Sequence, residues 1–240
     1  MIKCVIFDFG DTLVRKNEFF DEQRRAFLEE SVKKINEKGN NITYDEIKVA
    51  LNKTYAYFGQ FKYGTVNFGG DWERKLLENL NIKDDKLAEE LFDLYVNFRI
   101  TKCSELFPNV KEVLKQLKEK DLIICVITNS SNNLNKKTAE YFGIDKYFSH
   151  FIMSHEFGSV KSELKIFKHL LNEIEKKDGI KITPEECLMV GNNLIEDTAA
   201  KKVGMKTVIY TKKIQRKDDP EKIEPDYYID DLMELIKIIN

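Results

Sequence analysis

The run Cys4-Val5-Ile6-Phe7-Asp8-Phe9-Gly10-Asp11-Thr12-Leu13 constrains the fold more than any other stretch. Four apolar residues lead into an aspartate, and Gly, Asp and Thr follow closely. A short apolar run of this kind reads as a strand buried on both faces of a parallel sheet. Its polar end then falls at the carboxyl end of the strand, where open α/β sheets bind ligands. A lone Asp-Gly turn after a strand would mean little, but this chain repeats the pattern. The apolar run at 122–128 leads into Asn129 and Ser130, and the run at 187–190 leads into Gly191-Asn192-Asn193.

The rest of the chain divides in two by periodicity. From 19 to about 99 it reads as all helix. A first helix covers 19–35. Thr43-Tyr44-Asp45-Glu46 is a capping box, followed by Ile47, Leu51, Tyr55 and Phe58 at helical spacing. Asp71 is the expected N-cap of a helix ending near 80, and Leu87, Leu91, Leu94 and Phe98 mark a fourth. A glycine-rich loop at 63–70 lies between them. After Pro108, helices and strands alternate: helices at 109–118, 134–142, 164–174 and 196–203, strands at 122–128, 151–154, 187–190, 206–210 and 227–229, and a last helix. Thr183-Pro184-Glu185-Glu186 matches a second capping box but leads straight into a strand, so it predicts a single turn.

Alternating strands and helices imply a parallel sheet covered on both faces. The expected fold class is α/β, a doubly wound, Rossmann-like sheet. The first strand belongs to that sheet, so the helical block is an insertion, an all-helical cap over the carboxyl ends of the strands. The expected boundaries are 1–16 and 101–240 for the core and 17–100 for the cap.

Composition narrows the function. Hydrophobic residues make up 42% and charged residues 33% of 240, enough for a full core in a soluble protein. Net charge is -2 with both signs interspersed, which argues against a nucleic-acid binder. No apolar run approaches the length of a membrane span. The chain opens on Met1-Ile2-Lys3 and a strand, with no visible leader, so a cytoplasmic protein is expected. Cys4, Cys103, Cys125 and Cys187 show no Cys-x-x-Cys spacing and read as small core residues in a reducing compartment.

The strand ends carry the chemistry. Asp8, Thr128 with Asn129 and Ser130, Lys161, and the Asn192–Asp197 pair converge on one crevice in a doubly wound sheet. Phosphoryl transfer needs such groups: a nucleophile, donors to phosphate oxygens, a cation and a metal cradle. The stretches "VIFDFGDTL", "ICVITNSS", "SHEFGSVKSELKIF" and "LMVGNNLIEDTAAKKVGM" resemble, in order, the four motifs of the haloacid dehalogenase superfamily. The helical insert resembles that family's cap of the first type. The resemblance implies Asp8 as nucleophile, Thr128 and the neighbouring Asn129 and Ser130 at the phosphate, and Lys161 as charge partner. It also implies a magnesium ion near Asp8, the Gly10 carbonyl, Asn192 and Asp197, and a small phosphorylated metabolite as substrate.

Three departures stand out. The family's phosphatases carry a second aspartate two residues after the nucleophile, as general acid and base. Gly10 stands there, with Asp11 next to it as a substitute candidate. Losing a general acid costs about 10²–10⁴ in rate. Asn192 stands where the last motif usually has aspartate, which keeps an oxygen ligand but removes its charge. Ser162 follows Lys161 where proline is usual. Dehalogenases of the superfamily also lack the second aspartate, so a metal-free 2-haloacid dehalogenase is the alternative. A weakened binding or regulatory protein on the same fold is the alternative of another class. The Asn192-to-Asp197 spacing matches the metal-dependent members and favours phosphate.

The remaining features read as structural. His150, His155 and His169 lack metal spacing and are expected at the surface or in loops. Trp72 and the Tyr55-Tyr57-Phe58 cluster read as cap core. Tyr63, Asn67 and Arg74 are not assigned to the site, and the charged run from Lys212 to Glu224 reads as a solvated loop.

Overall fold

The computed structural model describes residues 1–18, 20–61, 64 and 68–239. The chain begins with β1 (Cys4–Phe7) and β2 (Val14–Lys16). Four helices follow: α1 (Phe20–Glu37), α2 (Tyr44–Phe58), α3 (Asp71–Asn79) and α4 (Asp85–Cys103). The chain then returns through β3 (Ser104–Leu106), α5 (Val110–Glu119), β4 (Ile123–Thr128), α6 (Leu134–Phe142) and β5 (His150–Met153). A short helix α7 (Ser154–Phe157), α8 (Lys165–Asp178), β6 (Cys187–Gly191), β7 (Lys206–Tyr210), β8 (Tyr227–Ile229) and α9 (Leu235–Ile239) complete it.

Six strands form one sheet in the order β5-β4-β1-β6-β7-β8, and all its pairs are parallel. The alternation within strands shows why both faces must be covered. Val5 and Phe7 of β1, Ile124 and Val126 of β4, and Leu188 and Val190 of β6 share one core with α5 and α9. Cys4 and Ile6, Cys125 and Ile127, and Cys187 and Met189 point the other way, into a core built with α8. The expected α/β doubly wound sheet is therefore present. All four cysteines are free and buried in it or beside it. Among the described residues no helix is long and apolar enough to cross a membrane.

Helices α1 to α4 pack on a core of their own, around Leu28, Ile35, Ile47, Leu77, Leu87 and Leu91. The Thr43–Glu46 capping box forms at α2, with both reciprocal bonds. Asp84 caps α4 by accepting from the Leu87 N–H at 2.9 Å. The Thr183–Glu186 box also forms and holds only one tight turn before β6.

Three local expectations need correction. Asp71 is not an N-cap: Gly70 takes that position, and Asp71 accepts from Arg74 at 2.6 Å instead. The 196–203 segment is a 3₁₀ helix that starts only at Thr198, because Asp197 turns its side chain back toward the site. The antiparallel pair β2–β3 was not anticipated. Val14 stands opposite Leu106 and Lys16 opposite Ser104, so the two ends of the helical insertion are clamped side by side. Strands of three residues carry too little periodicity to announce themselves. The glycine-rich loop with Tyr63 and Asn67 falls largely outside the described residues.

Leu87 is fully buried where α4 meets α1 and α3. Leu87→Ala should therefore cost about 2–5 kcal/mol, the range for an uncollapsed leucine cavity. Denaturant unfolding measures this, and a loss below 1 kcal/mol would show that the four helices do not depend on a shared core.

Candidate active site

Strand β1 delivers Asp8 to the carboxyl edge of the sheet. Its N–H donates to the Val190 carbonyl of β6 at 2.8 Å, so the backbone is pinned as the side chain leaves the strand. The Asp8 side chain meets Lys161, which opens a 3₁₀ turn after α7. The Lys161 Nζ donates to Asp8 Oδ1 at 2.7 Å and to Asp197 Oδ1 at 2.5 Å. Lys161 is 3% exposed and Asp197 1%. The other oxygen of Asp197 accepts the N–H groups of Asn192 and Asn193, each at 2.8 Å. A Cβ on Gly191 would overlap the Asp197 carboxylate, so only glycine lets that side chain fold back under the loop.

The three buried charges do not cancel. Two carboxylates share one ammonium, leaving a net single negative charge. Burial pushes the Asp8 carboxyl up to about 6, with Lys161 pulling it down and Asp197 pushing it up further. Burial disfavours the Lys161 ammonium, but Asp197 and Asp8 outweigh that and raise its pKa. The lysine is the fixed charge of the site.

The expected site residues converge, although their side chains are used differently from the sequence reading. Thr128 accepts from Asn135 Nδ2 at 3.1 Å, which leaves its own proton to donate. Asn129 is spent on structure. Its carbonyl oxygen accepts the Lys161 N–H at 3.1 Å, and its amide donates to Glu196 at 3.0 Å. The N–H of Ser130 donates to Ser154 Oγ at 3.0 Å, and its hydroxyl lies 3.1 Å from His155 Nδ1. Asp11 has φ 57° and accepts from Gln215 at 3.3 Å, a partner in the loop after β7. Gly10 is exposed, has no left-handed φ, and has open space where a Cβ would stand.

Several contributors escaped the sequence reading. Thr12 is fully buried, with its hydroxyl 3.5 Å from Asp8 Oδ2 and 3.3 Å from Asn192 Oδ1. Glu196 accepts from both Asn129 and the Ser162 N–H, tying the loop after β4 to the lysine turn. The run from Lys212 is more than a solvated loop. The Lys213 carbonyl accepts from Asn192 Nδ2 at 2.7 Å, and Gln215 reaches both Asn193 and Asp11. The histidines also depart from expectation. His150 is buried and bonded to Asp178 at 2.7 Å, and His169 stacks on Phe157.

The donor set decides whether a magnesium ion suits the site. Asn192 turns its oxygen to the Thr12 hydroxyl, which also lies beside Asp8 Oδ2, because its nitrogen is committed to Lys213. Asp8 Oδ2, Asn192 Oδ1 and the Gly10 carbonyl are all hard oxygen donors, the kind magnesium takes. Both oxygens of Asp197 accept from protein donors, one from Lys161 and the other from the N–H groups of Asn192 and Asn193. The set fits magnesium in kind but holds only one formal negative charge.

Comparison with known proteins follows the same line. Residues 2–204 match the family model described as haloacid dehalogenase-like hydrolase. A glyceraldehyde 3-phosphate phosphatase of Methanocaldococcus jannaschii is 31% identical over 240 residues, covering 100% of this chain and 97% of that protein. A phosphatase of the same name from Pyrococcus furiosus is 28% identical, covering 99% and 93%. Among solved structures, a 2-haloacid dehalogenase from Pseudomonas syringae pv. tomato superposes with a TM-score of 0.73 at 21% identity, covering 100% of this chain and 98% of that one. A HAD phosphatase from Thermococcus onnurineus superposes with a TM-score of 0.64 at 23% identity, with the same coverage. At these identities the two structures speak for the fold alone.

The charge count orders two substitutions. Lys161→Met strands two buried carboxylates and should cost about 3–5 kcal/mol of stability at neutral pH. Asp197→Asn leaves Lys161 and Asp8 as a balanced pair and should cost clearly less. Thermal or denaturant unfolding of both variants checks the order, and an equal or reversed ranking would show that Lys161 does not carry the site's charge balance.

Proposed function

The chain belongs to the haloacid dehalogenase-like hydrolases, and from that we propose that it hydrolyses a small phosphomonoester, with magnesium, through an aspartyl-phosphate on Asp8. The observation that carries this reading is the arrangement at the sheet edge. A buried carboxylate is held against a fixed ammonium, with the Thr128 hydroxyl and a set of oxygen donors around it. The phosphatase names of the relatives that span nearly the whole chain support phosphate over halide.

In this reading an Asp8 oxygen attacks phosphorus. The new aspartyl O–P bond forms as the ester O–P bond breaks, and the electron pair leaves on the alcohol oxygen. Lys161 and Thr128 neutralise the phosphoryl oxygens as charge builds on them. Asp197 is a positioning residue, which holds Lys161 in place and never meets the substrate. Water then attacks the aspartyl-phosphate, releasing phosphate and restoring the carboxylate. Asp8, Asn192 and the Gly10 carbonyl would hold magnesium, which supplies positive charge to the phosphoryl oxygens. We take 17–100 as the cap and 1–16 with 101–240 as the core, with β2 and β3 as the stem between them. The free cysteines accord with a reducing cytoplasm.

Asp8→Asn should fold normally and lose essentially all turnover. Phosphate release from a panel of esters measures it, and retention of more than a trace of activity would rule out the covalent route. Asn192→Asp should tighten magnesium, because a full charge replaces an amide dipole at one ligand. Titration of activity against magnesium would show a lower half-saturating concentration, and an unchanged value would remove Asn192 from the metal site.

Gly10 leaves the leaving oxygen without its usual proton donor. Rate should therefore fall steeply as the leaving group's pKa rises, within a total span of about 10²–10⁴. Gly10→Asp should flatten that slope, since the backbone tolerates a side chain and the space is open. A flat slope in the unmodified protein would point to Asp11 as the acid, and Asp11→Asn would then decide.

A further inference from the structure

The cap contains a cavity of about 510 Å³ that the hydrolytic chemistry leaves unused. That is the size of a pocket for a small organic ligand. Aromatic rings dominate its walls, among them Phe27, Tyr55, Phe58, Phe61, Trp72 and Phe98. All but Phe61, which follows α2, come from α1, α2, α3 and α4, so the cavity lies between the cap helices. Its floor is Ser131 and Asn132, in the loop that follows Thr128 at the end of β4. The sequence reading of Trp72 and Tyr55 as plain core is thus half right. Trp72 packs on the cap core and also faces open space, with the two rings edge to face at 5.4 Å.

Two polar side chains in this apolar wall each carry a buried atom with no hydrogen-bond partner among the described residues. Glu73 lines the cavity and is 5% exposed, yet its Oε2 has no hydrogen-bond partner among the described residues. Burial pushes its carboxyl up to about 7, against backbone N–H groups of Glu73 and Gly70 that pull it down. Arg99 lines the same cavity and lies over the Phe20 ring, and its Nε is also buried without a hydrogen-bond partner. Buried polar atoms are nearly always satisfied in folded proteins. An unmet acceptor and an unmet donor in one aromatic cavity therefore describe the chemistry of what should fill it.

We propose that the cavity receives the leaving group of the substrate, a flat aromatic or heteroaromatic ring with an N–H donor for Glu73. Ring faces stack on the aromatic wall. The ring sits beside Ser131 while the phosphate lies among Asp8, Thr128 and Lys161. This rests on the phosphomonoesterase reading and narrows its substrate class. It sets the chain apart from relatives named for a three-carbon phosphate, which has no ring to place in such a wall.

The test compares three primary alkyl esters whose leaving oxygens are alike: glycerol phosphate, 2-phenylethyl phosphate and 2-(4-aminophenyl)ethyl phosphate, all with magnesium. The KM should fall by about tenfold from the first to the second through ring burial, and again to the third, the scale of one hydrogen bond to a charged partner. Glu73→Met should erase the second step and leave the first. Because Trp72 is the chain's only tryptophan, its fluorescence reports binding of the phosphate-free alcohol 2-(4-aminophenyl)ethanol directly. Saturable quenching is expected in the unmodified protein, a result that needs no variant to fold. Hydrolysis of all three esters with equal KM and no quenching would overturn the cavity's assignment and leave the phosphatase reading intact. Quenching without turnover of any ester would overturn the phosphatase reading, and the leaving-group assignment with it. Equal KM for the two ring-bearing esters would remove Glu73 from the recognition.

Discussion

One ammonium group organises this protein. Lys161 lies at the junction of three loops, after β1, β5 and β6, and bonds to carboxylates from two of them. An unpaired buried charge costs several kcal/mol, so each loop is held where it can pay that debt down. The consequence reaches outward through Asp197. Its second oxygen closes the loop after β6 onto two N–H groups, and it needs Gly191 to make room. Asn129 reaches the same turn from β4 by accepting the Lys161 N–H. Four strand ends are thereby fixed around one point, and the Asp8 carboxylate is held among them.

How much of this was legible in the sequence depends on range. Strands β1, β4, β6 and β7 were plain because each is an apolar run that ends in polar residues, and both features are local. Asp8, Thr128 and Lys161 could be picked out because they stand at such ends or within recognisable motifs. Thr12 could not, since its hydroxyl matters only when Asp8 and Asn192 arrive from separate strands. Glu196 and Gln215 were hidden for the same reason: each is an ordinary polar residue until the fold sets it against a distant loop. Asp197 was visible as a site residue, but its duty was not. The resemblance implied a metal ligand, and the backbone N–H groups that also meet its oxygen belong to no pattern of side chains.

The metal site and the cap cavity stand in contrast. Around Asp8 the polar groups are more than satisfied: every charged oxygen has a donor, and the oxygen set for magnesium is short of charge. In the cap cavity aromatic rings dominate the wall, and Glu73 Oε2 and Arg99 Nε on it have no hydrogen-bond partner among the described residues. Under the proposed reading, a phosphate site with Gly10 and Asn192 where the family's phosphatases carry aspartates gains less from holding phosphate alone. Binding energy from a remote part of the substrate can compensate, because it is available to orient the reacting group.

Gly10 ties these two halves together. A Cβ there would meet no atom within 4 Å, so the position where the family's phosphatases carry an aspartate stands open. Asp11 has not filled the gap in this conformation, because its left-handed backbone turns the carboxylate to Gln215 on the core side. Bringing it over would require breaking that bond and rotating a loop that is pinned at Asp8 by Val190 and again by the Asp11 N–H to Val14 carbonyl bond. The loop is therefore stiff where an acid would need it to move. A protein built this way can discriminate among leaving groups by how well they depart and how well they fit the cap, and both demands favour the same kind of molecule: a stable leaving group with a flat, apolar body.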